Sequence, residues 1–244
     1  SNTAPAEVST YTNVSPVPTA IGGIKAGTTF DNKTITEVLD MLLYPYQNPS
    51  FTAFSVDGVS SINLEVGQVY PEGDKLFTWS TNNSSNISKI VLNGTEKTVN
   101  DGVEIVEVAS KVKDVVGTES FSIVGTNSNG QNFSRSIPLN WNYKRYWGTS
   151  SLASLDDSGI IGFDGELAAN KNKVVNYDCT GGKYFYMVYP SSWGDMSATK
   201  VGTLDWNDWV LVKRSVVNAQ GITIPMNVYR SNNLLNGLVT VNWG

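Results

Sequence analysis

The 244 residues include no histidine and a single cysteine, Cys179. Histidine is the side chain whose ordinary pKa lies nearest neutrality. Its absence excludes Ser-His-Asp and Cys-His nucleophile systems, imidazole acid–base catalysis and His-containing metal sites. One cysteine can neither close an intramolecular disulfide nor assemble a thiolate metal site. A reactive thiolate at Cys179 would need a lysine or a helix N-terminus to lower its pKa, and no such role is expected of it.

Charge is also scarce. Charged side chains make up 16% of the chain, 17 basic and 22 acidic, for a net charge of −5. Phosphate neutralisation needs clustered cations, so nucleic acid is not an expected partner. The densest group, Lys111-Val112-Lys113, is followed by Asp114 and reads as a solvated strand or turn face. No apolar run approaches the roughly 20 residues that cross a bilayer, so no membrane insertion is expected. The opening residues lack a basic and then apolar stretch, and no secretion leader is expected among them.

What the chain has in abundance is neutral polarity: Ser, Thr and Asn together supply 72 residues. That surface suits an all-β protein working outside cells. The same abundance makes Asn-x-Ser/Thr triplets such as Asn86-Ile87-Ser88 and Asn93-Gly94-Thr95 chance events rather than glycosylation signals. The length is large for one core and suggests two domains, or one with appendages.

Residues 1–20, with Pro5, Pro16 and Pro18, read as an extended arm that becomes ordered only against a partner. A glycine-rich turn follows, Ile21-Gly22-Gly23-Ile24, which lacks the Lys-Ser/Thr of a phosphate loop. Thr34-Ile35-Thr36-Glu37 is a capping-box pattern. Behind it Ile35, Val38, Leu39, Leu42 and Leu43 recur at helical spacing, and Pro45 ends the run. Ten residues are marginal as an isolated helix, so this stripe is expected to be buried, against the next domain or another copy of the chain.

From residue 49 to 141 the apolar period becomes two. Strands are predicted at 51–56, 62–66, 76–80, 88–92, 103–108, 119–125 and 132–141, with a hairpin connection at Thr126–Gly130. Seven short, evenly spaced strands predict an immunoglobulin-like β-sandwich with Trp79 in its core. Residues 142–244 read as a second β-rich domain, with strands at 183–190, 209–217, 222–230 and 237–243 and a weak helix at 164–173. The predicted division is thus 1–48, 49–141 and 142–244, with the second boundary near Asn142–Tyr146.

Chemistry-bearing clusters are few. Asp156 and Asp157, with Asp164 and Glu166, match no calcium loop and read as a solvated turn. Asp205 and Asp208, interleaved with Trp206 and Trp209, are more suggestive. Carboxylates beside indoles grip sugars by bonding hydroxyls and stacking on the apolar sugar face. The preferred alternative packs both indoles inward while the aspartates shape a turn. Tyr184-Phe185-Tyr186, Tyr189 and Trp193 alternate faces, one set for the core and the other for a platform or interface. Trp193, Asp205, Trp206, Asp208 and Trp209 are therefore the candidate contacts for a glycan or a partner. No catalytic, cofactor or metal residues are identified.

The block VPTAIGGIKAGTTFDNKTITEVLDMLLYPYQNPSFTAFSV (17–56), with its "GGI-x-x-G-T-x-F" turn, capped helix and "L-Y-P-Y-x-x-P", resembles structural proteins of tailed bacteriophages. FTWST (77–81), SFSIVGTNSNGQNFSRS (120–136), GGKYFYMVYPSSWG (181–194) and PMNVYRSNN (225–233) are similar to the same tail, baseplate and fibre proteins. The resemblance implies a non-enzymatic virion component with no cofactor, attached to other virion proteins through residues 1–48. It implies a role in assembly or in host-surface engagement; further copies of the chain, as a trimer, and a host-surface glycan are the candidate partners. A glycan-binding module or adhesin using exposed aromatics of the C-terminal domain is the alternative, compatible with the first reading at a receptor-binding tip. A polysaccharide-degrading enzyme, which needs a carboxylate pair on a long groove, is disfavoured.

Overall fold

A computed structural model describes residues 9–98 and 101–244. The protein is mainly β, with two short α-helices among the described residues. It divides into two compact units. The first takes the chain up to Ala53 together with Trp79–Gly102 and Ser122–Arg135; the second takes Phe54–Thr78, Val103–Phe121 and Ser136–Gly244. This division does not follow the expected boundaries at residues 48 and 141, because the sandwich strands contribute to both units.

Residues 1–8 of the expected arm lie outside the described residues. The remainder is no free tail. Strand β1 (Thr10–Tyr11) pairs antiparallel with β2 (Lys33–Thr34). The Asn13 amide donates to the carbonyls of Ser15 (2.8 Å) and Thr28 (3.1 Å), and its oxygen accepts from the Phe30 N–H at 2.6 Å. Val17 exchanges backbone hydrogen bonds with Thr28 and Gly27. One side chain here replaces several ladder bonds, which a proline-punctuated composition does not reveal.

Helix α1 (Ile35–Leu43) starts at the predicted capping box. The Glu37 N–H donates to Thr34 Oγ1 at 3.1 Å, and the Glu37 carboxylate accepts from the Thr34 N–H at 2.7 Å. The preceding glycines explain the turn motif. Gly23 donates its N–H to the Met41 carbonyl at 2.7 Å, satisfying one orphan acceptor of the last helical turn. A Cβ at Gly23 would lie 2.6 Å from that oxygen, and one at Gly22 would lie 2.2 Å from the Leu42 oxygen. Only glycine allows the turn to approach the helix end this closely. Ile24 and Phe30 are buried beneath it, but no residue of α1 is. The expectation that the helix stripe is buried fails within this chain.

The sandwich strands are β3 (Ser50–Val56), β4 (Ile62–Glu65), β5 (Gly73–Asn82), β6 (Ile87–Leu92), β7 (Thr95–Lys97), β8 (Gly102–Val108), β9 (Gly117–Asn127) and β10 (Asn132–Ser150). One sheet has the order β3-β5-β8; the other contains β10-β9-β6-β7, with β4 added parallel to β10. All seven predicted strands are present and β7 is additional. In the first unit Phe51 meets Phe133 at 4.9 Å between ring centroids, and the Arg135 guanidinium donates to the carbonyls of Phe51 and Thr52. Trp79 is buried there, as expected, with Ile90, Leu92 and Ile123. In the second unit Phe77 of β5 meets Phe121 of β9 edge-on at 5.2 Å, so side chains of the two sheets interdigitate as in a sandwich core.

Strand β10 does not stop at Trp141 but continues through the expected boundary to Ser150. Ile137, Leu139 and Trp141 are its buried residues in the sandwich, whereas Tyr146 is buried farther on. The change from odd to even numbers means the strand turns its opposite face to the second core.

Beyond it lie α2 (Asp157–Ile161), β11 (Asp164–Ala168), β12 (Lys173–Asp178), β13 (Tyr184–Pro190), β14 (Thr199–Val201), β15 (Leu204–Asp205), β16 (Trp209–Val217), β17 (Thr223–Ser231) and β18 (Leu238–Trp243). The sheet of β10 continues as β10-β13-β17-β16, and a four-stranded sheet has the order β12-β18-β14-β15. Strand β13 is buried on both faces. Phe185, Met187 and Tyr189 pack with Val175, Tyr177, Val241 and Trp243 of the four-stranded sheet, while Tyr186 and Val188 pack with Ile160 of α2. The helix predicted at 164–173 is a correction: its first half is β11, paired with β10 from Tyr143↔Ala168 to Trp147↔Asp164. The Glu166 carboxylate is held there by Arg145 and Lys173. Pairing with a ready-made strand overrides the weak helical preference of the segment.

A buried charge ties sandwich strand β4 to the later strands of the second unit. Glu65 is 2% exposed. Its carboxylate accepts from Tyr146 Oη (3.2 Å) and Gln220 Nε2 (3.3 Å), with Lys144 Nζ at 3.5 Å. Burial first, then the neighbouring Glu65 charge, raises the Tyr146 phenol well above its ordinary value. The Asn218 amide donates to the Val66 carbonyl at 2.8 Å, docking the β16–β17 turn on the end of β4. Glu65→Ala should therefore cost about 3 kcal/mol, because it leaves a phenol, an amide and an ammonium group without their acceptor. A urea-unfolding midpoint unchanged from the parent would contradict this. Gly23→Ala should weaken docking of α1 by about 1–3 kcal/mol. Lost amide-exchange protection at Gly23 and across residues 41–44 would report it.

Candidate functional site

Two regions answer to the sequence candidates, one in each unit. In the second unit, Trp206 follows the β14–β15 hairpin and is anchored by its backbone N–H to the Thr199 carbonyl at 2.8 Å. Its ring lies edge-on to Trp209, with centroids 6.3 Å apart. Trp206 and Asp205, with Asn207, Ser197 and Thr199, line an open cleft of about 380 Å³. The Asp205 carboxylate is 91% exposed and lies 3.3 Å from the Lys200 ammonium. The indole N–H of Trp206 is buried and has no hydrogen-bond partner among the described residues, an arrangement that costs about 1–3 kcal/mol.

The remaining candidates do other work. Trp209 packs edge-on against Phe185 (5.7 Å) and Tyr229 (6.3 Å), part of the core. Trp193 stacks on the fully buried Tyr189 at 6.4 Å. Asp208 shapes a turn: its carbonyl accepts from the Asn232 N–H, and its carboxylate from the Asn233 amide at 3.3 Å. Of the five residues, the structure brings Asp205 and Trp206 into one cleft, and it places Trp193, Asp208 and Trp209 in packing or turn roles. Asn207 and Thr199 were missed. Only the Asp-Trp spacing pointed toward this stretch, and nothing in the sequence shows that β14 folds back beside it.

In the first unit the apolar face of α1 is open. Leu39 is 47% exposed, Leu43 66% and the following Tyr44 76%, while Val38 and Leu42 are half-buried and Ile35 is exposed. Next to this face, Met41, Tyr44, Pro45 and Tyr46 line a hollow of about 730 Å³ whose opposite wall is Asn83–Asn86. The Asn86 and Asn83 amides donate to the carbonyls of Gln47 and Asn48, so the segment after the helix is held in place.

The other sequence features have structural employment. Asp156 caps α2, accepting from the Gly159 N–H at 2.8 Å, and this bond above all holds its carboxyl below the ordinary range. Asp157 pairs with Arg214 at 2.8 Å and accepts from the Val217 N–H. Among the described residues no three His, Cys, Asp or Glu side chains gather as a metal site. Cys179 is wholly buried, and burial raises its thiol, the reverse of what a nucleophile requires. No helix among the described residues is long and apolar enough to cross a membrane.

No protein-family model matches the chain, and no curated protein matches it. Among solved structures it is similar to fibronectin(III)-like modules of Clostridium thermocellum CbhA. The identity is 13% and the TM-score 0.23, over 78% of this chain and 84% of that one. A likeness of that size carries no argument.

The carboxylates dictate the pH response. Asp156, Glu166, Glu119 and Asp195 all sit below their ordinary pKa, held there chiefly by the Gly159 N–H, Lys173, Lys111 and Lys213 respectively. A depressed folded pKa contributes stability that is present above the unfolded value and lost as pH falls through the folded one. With no imidazole in the chain, denaturant midpoints should stay flat between about pH 5.5 and 8 and decline below about pH 4. A midpoint that shifts markedly between pH 6 and 7.5 would refute this.

Proposed function

We propose that the chain is a non-enzymatic structural subunit of a tailed-bacteriophage particle, in tail, baseplate or fibre, that assembles through its N-terminal module. The observation that carries this reading is the uncovered stripe of α1. A nine-residue helix gains most of its stability from packing an apolar face, and here none of its residues is buried within the chain. Compact proteins seldom leave contiguous apolar surface open unless it meets a partner. The stripe lies inside the 17–56 block whose sequence resembles phage virion proteins, which supports a particle as the place of assembly.

The stripe is self-complementary in chemistry, so copies of the chain cover it in a closed ring, with three as the expected number. Other virion proteins meet the rest of the module, within residues 1–48. Glu37 and Asp40 flank the stripe and Lys33 pairs with Glu37 at 3.3 Å, so the rim is polar and mixed in sign. Such a rim fixes orientation more than it adds affinity.

Light scattering on size-fractionated protein should give the mass of a trimer at micromolar concentration. Leu39→Glu with Leu43→Glu should give a monomer that keeps the circular dichroism of the parent's β-sheets, because both positions are exposed among the described residues. A parent that stays monomeric at 100-fold higher concentration would overturn self-assembly. Absence of its peptides from purified phage particles would overturn the virion role.

A further inference from the structure

We propose that the cleft beside the β14–β15 hairpin is a binding site for neutral carbohydrate. The site is built from residues of the second unit alone and stands apart from assembly through α1. Either can fail alone.

Three observations converge. The first is the ring of Trp206. Its N–H edge is buried while the residue as a whole is half-buried and lines the cleft, so what it shows to the cleft is carbon. A rigid indole offering its apolar surface is a platform for the C–H face of a pyranose. The second is the polar lining. Asp205 and Asn207 supply a carboxylate and an amide beside that surface, while the Ser197 and Thr199 hydroxyls on its wall already donate to the Gly244 carbonyl and to Met196 Sδ and are left to accept. These groups match sugar hydroxyls, which both donate and accept. The third is charge balance. Asp205 is offset by Lys200 at 3.3 Å, so the cleft presents neither the free cation a phosphate or uronate needs nor a net negative site for a cation.

The site is also held in shape before any ligand arrives. Strand β14 pairs with β15 and with β18, and the bond from the Trp206 backbone N–H to the Thr199 carbonyl clamps the residue to the start of β14. The edge contact with Trp209, itself packed on the core, braces the ring from behind. Preorganisation of this kind lowers the ordering cost of binding. A cleft of about 380 Å³ lies within the range of small-ligand sites. A smaller hollow of about 180 Å³, lined by Asn172 and Asn242 among others, shares Ala198 and Thr199 with it and can take a second ring.

The test is an array of neutral and acidic oligosaccharides probed with the full chain, followed by calorimetry on the best neutral hit. The expected result is binding of neutral oligosaccharides that falls at least tenfold in Trp206→Ala and at least threefold in Asp205→Ala and in Asn207→Ala. Leu39→Glu, in the other unit, should bind as the parent does. Trp206→Ala risks local unfolding, whereas Asp205 and Asn207 are exposed and their variants should keep the parent's circular dichroism and melting temperature. The double variant Asp205→Ala with Asn207→Ala is therefore the deciding one. Parent-level binding by that folded double variant, binding confined to acidic glycans, or no neutral oligosaccharide bound at millimolar concentration would each overturn the proposal.

Discussion

Strand β10 runs for 19 residues and gives its hydrogen-bonding edges to β9 and β4 in its first half and to β11 and β13 in its second. A strand this long fixes the register of every neighbour at once. Side chains alternate between faces, so a slip by one residue would carry Ile137, Leu139 and Trp141 out of one core and Tyr146 out of the next. The buried Glu65 reinforces the same constraint from the side. Its partners stand on β10 and on the β16–β17 turn, so β4 cannot separate from either without stranding a carboxylate in the interior.

Much of the architecture was written in local patterns. The capping box at Thr34–Glu37 and Pro45 bounded α1 almost to the residue. Period-two alternation marked the sandwich strands and the central strands β13, β16, β17 and β18. What the patterns omitted is instructive. Strands β14 and β15 are three and two residues long, too short for any period to show; β14 forms on the edge that β18 offers and β15 on that of β14. Strand β11 reads as helix in sequence because Glu-Leu-Ala-Ala favours that state in isolation, and only the partner strand decides otherwise. The expected boundary near Asn142–Tyr146 falls inside a continuous strand, because the polar residues there belong to β10, whose neighbours cover both sides. Pairings such as Glu65 with Tyr146 join positions 81 apart and leave no local trace.

The two candidate regions differ in how they were legible. For the α1 stripe the sequence showed the residues and the structure supplied the surprise, that the described residues leave none of them buried. For the cleft the sequence showed a suspicious spacing of Asp and Trp, and the structure divided it. Trp209 went to the core, Asp208 to a turn, and Asp205 with Trp206 to the surface. Spacing alone cannot make that division, because which indole turns inward depends on where β17 and the 231–233 turn lie.

Cys179 has a use that its chemistry alone would not suggest. The only thiol in the chain is sealed inside the second core, among Tyr177, Phe185 and Val241. A reagent reaches it only when that core opens, so the rate of labelling measures the frequency of opening rather than the reactivity of a surface group. With no second thiol to compete, the protein carries a built-in clock for breathing of its C-terminal strands. It would run in whatever assembly the chain enters, without a single substitution.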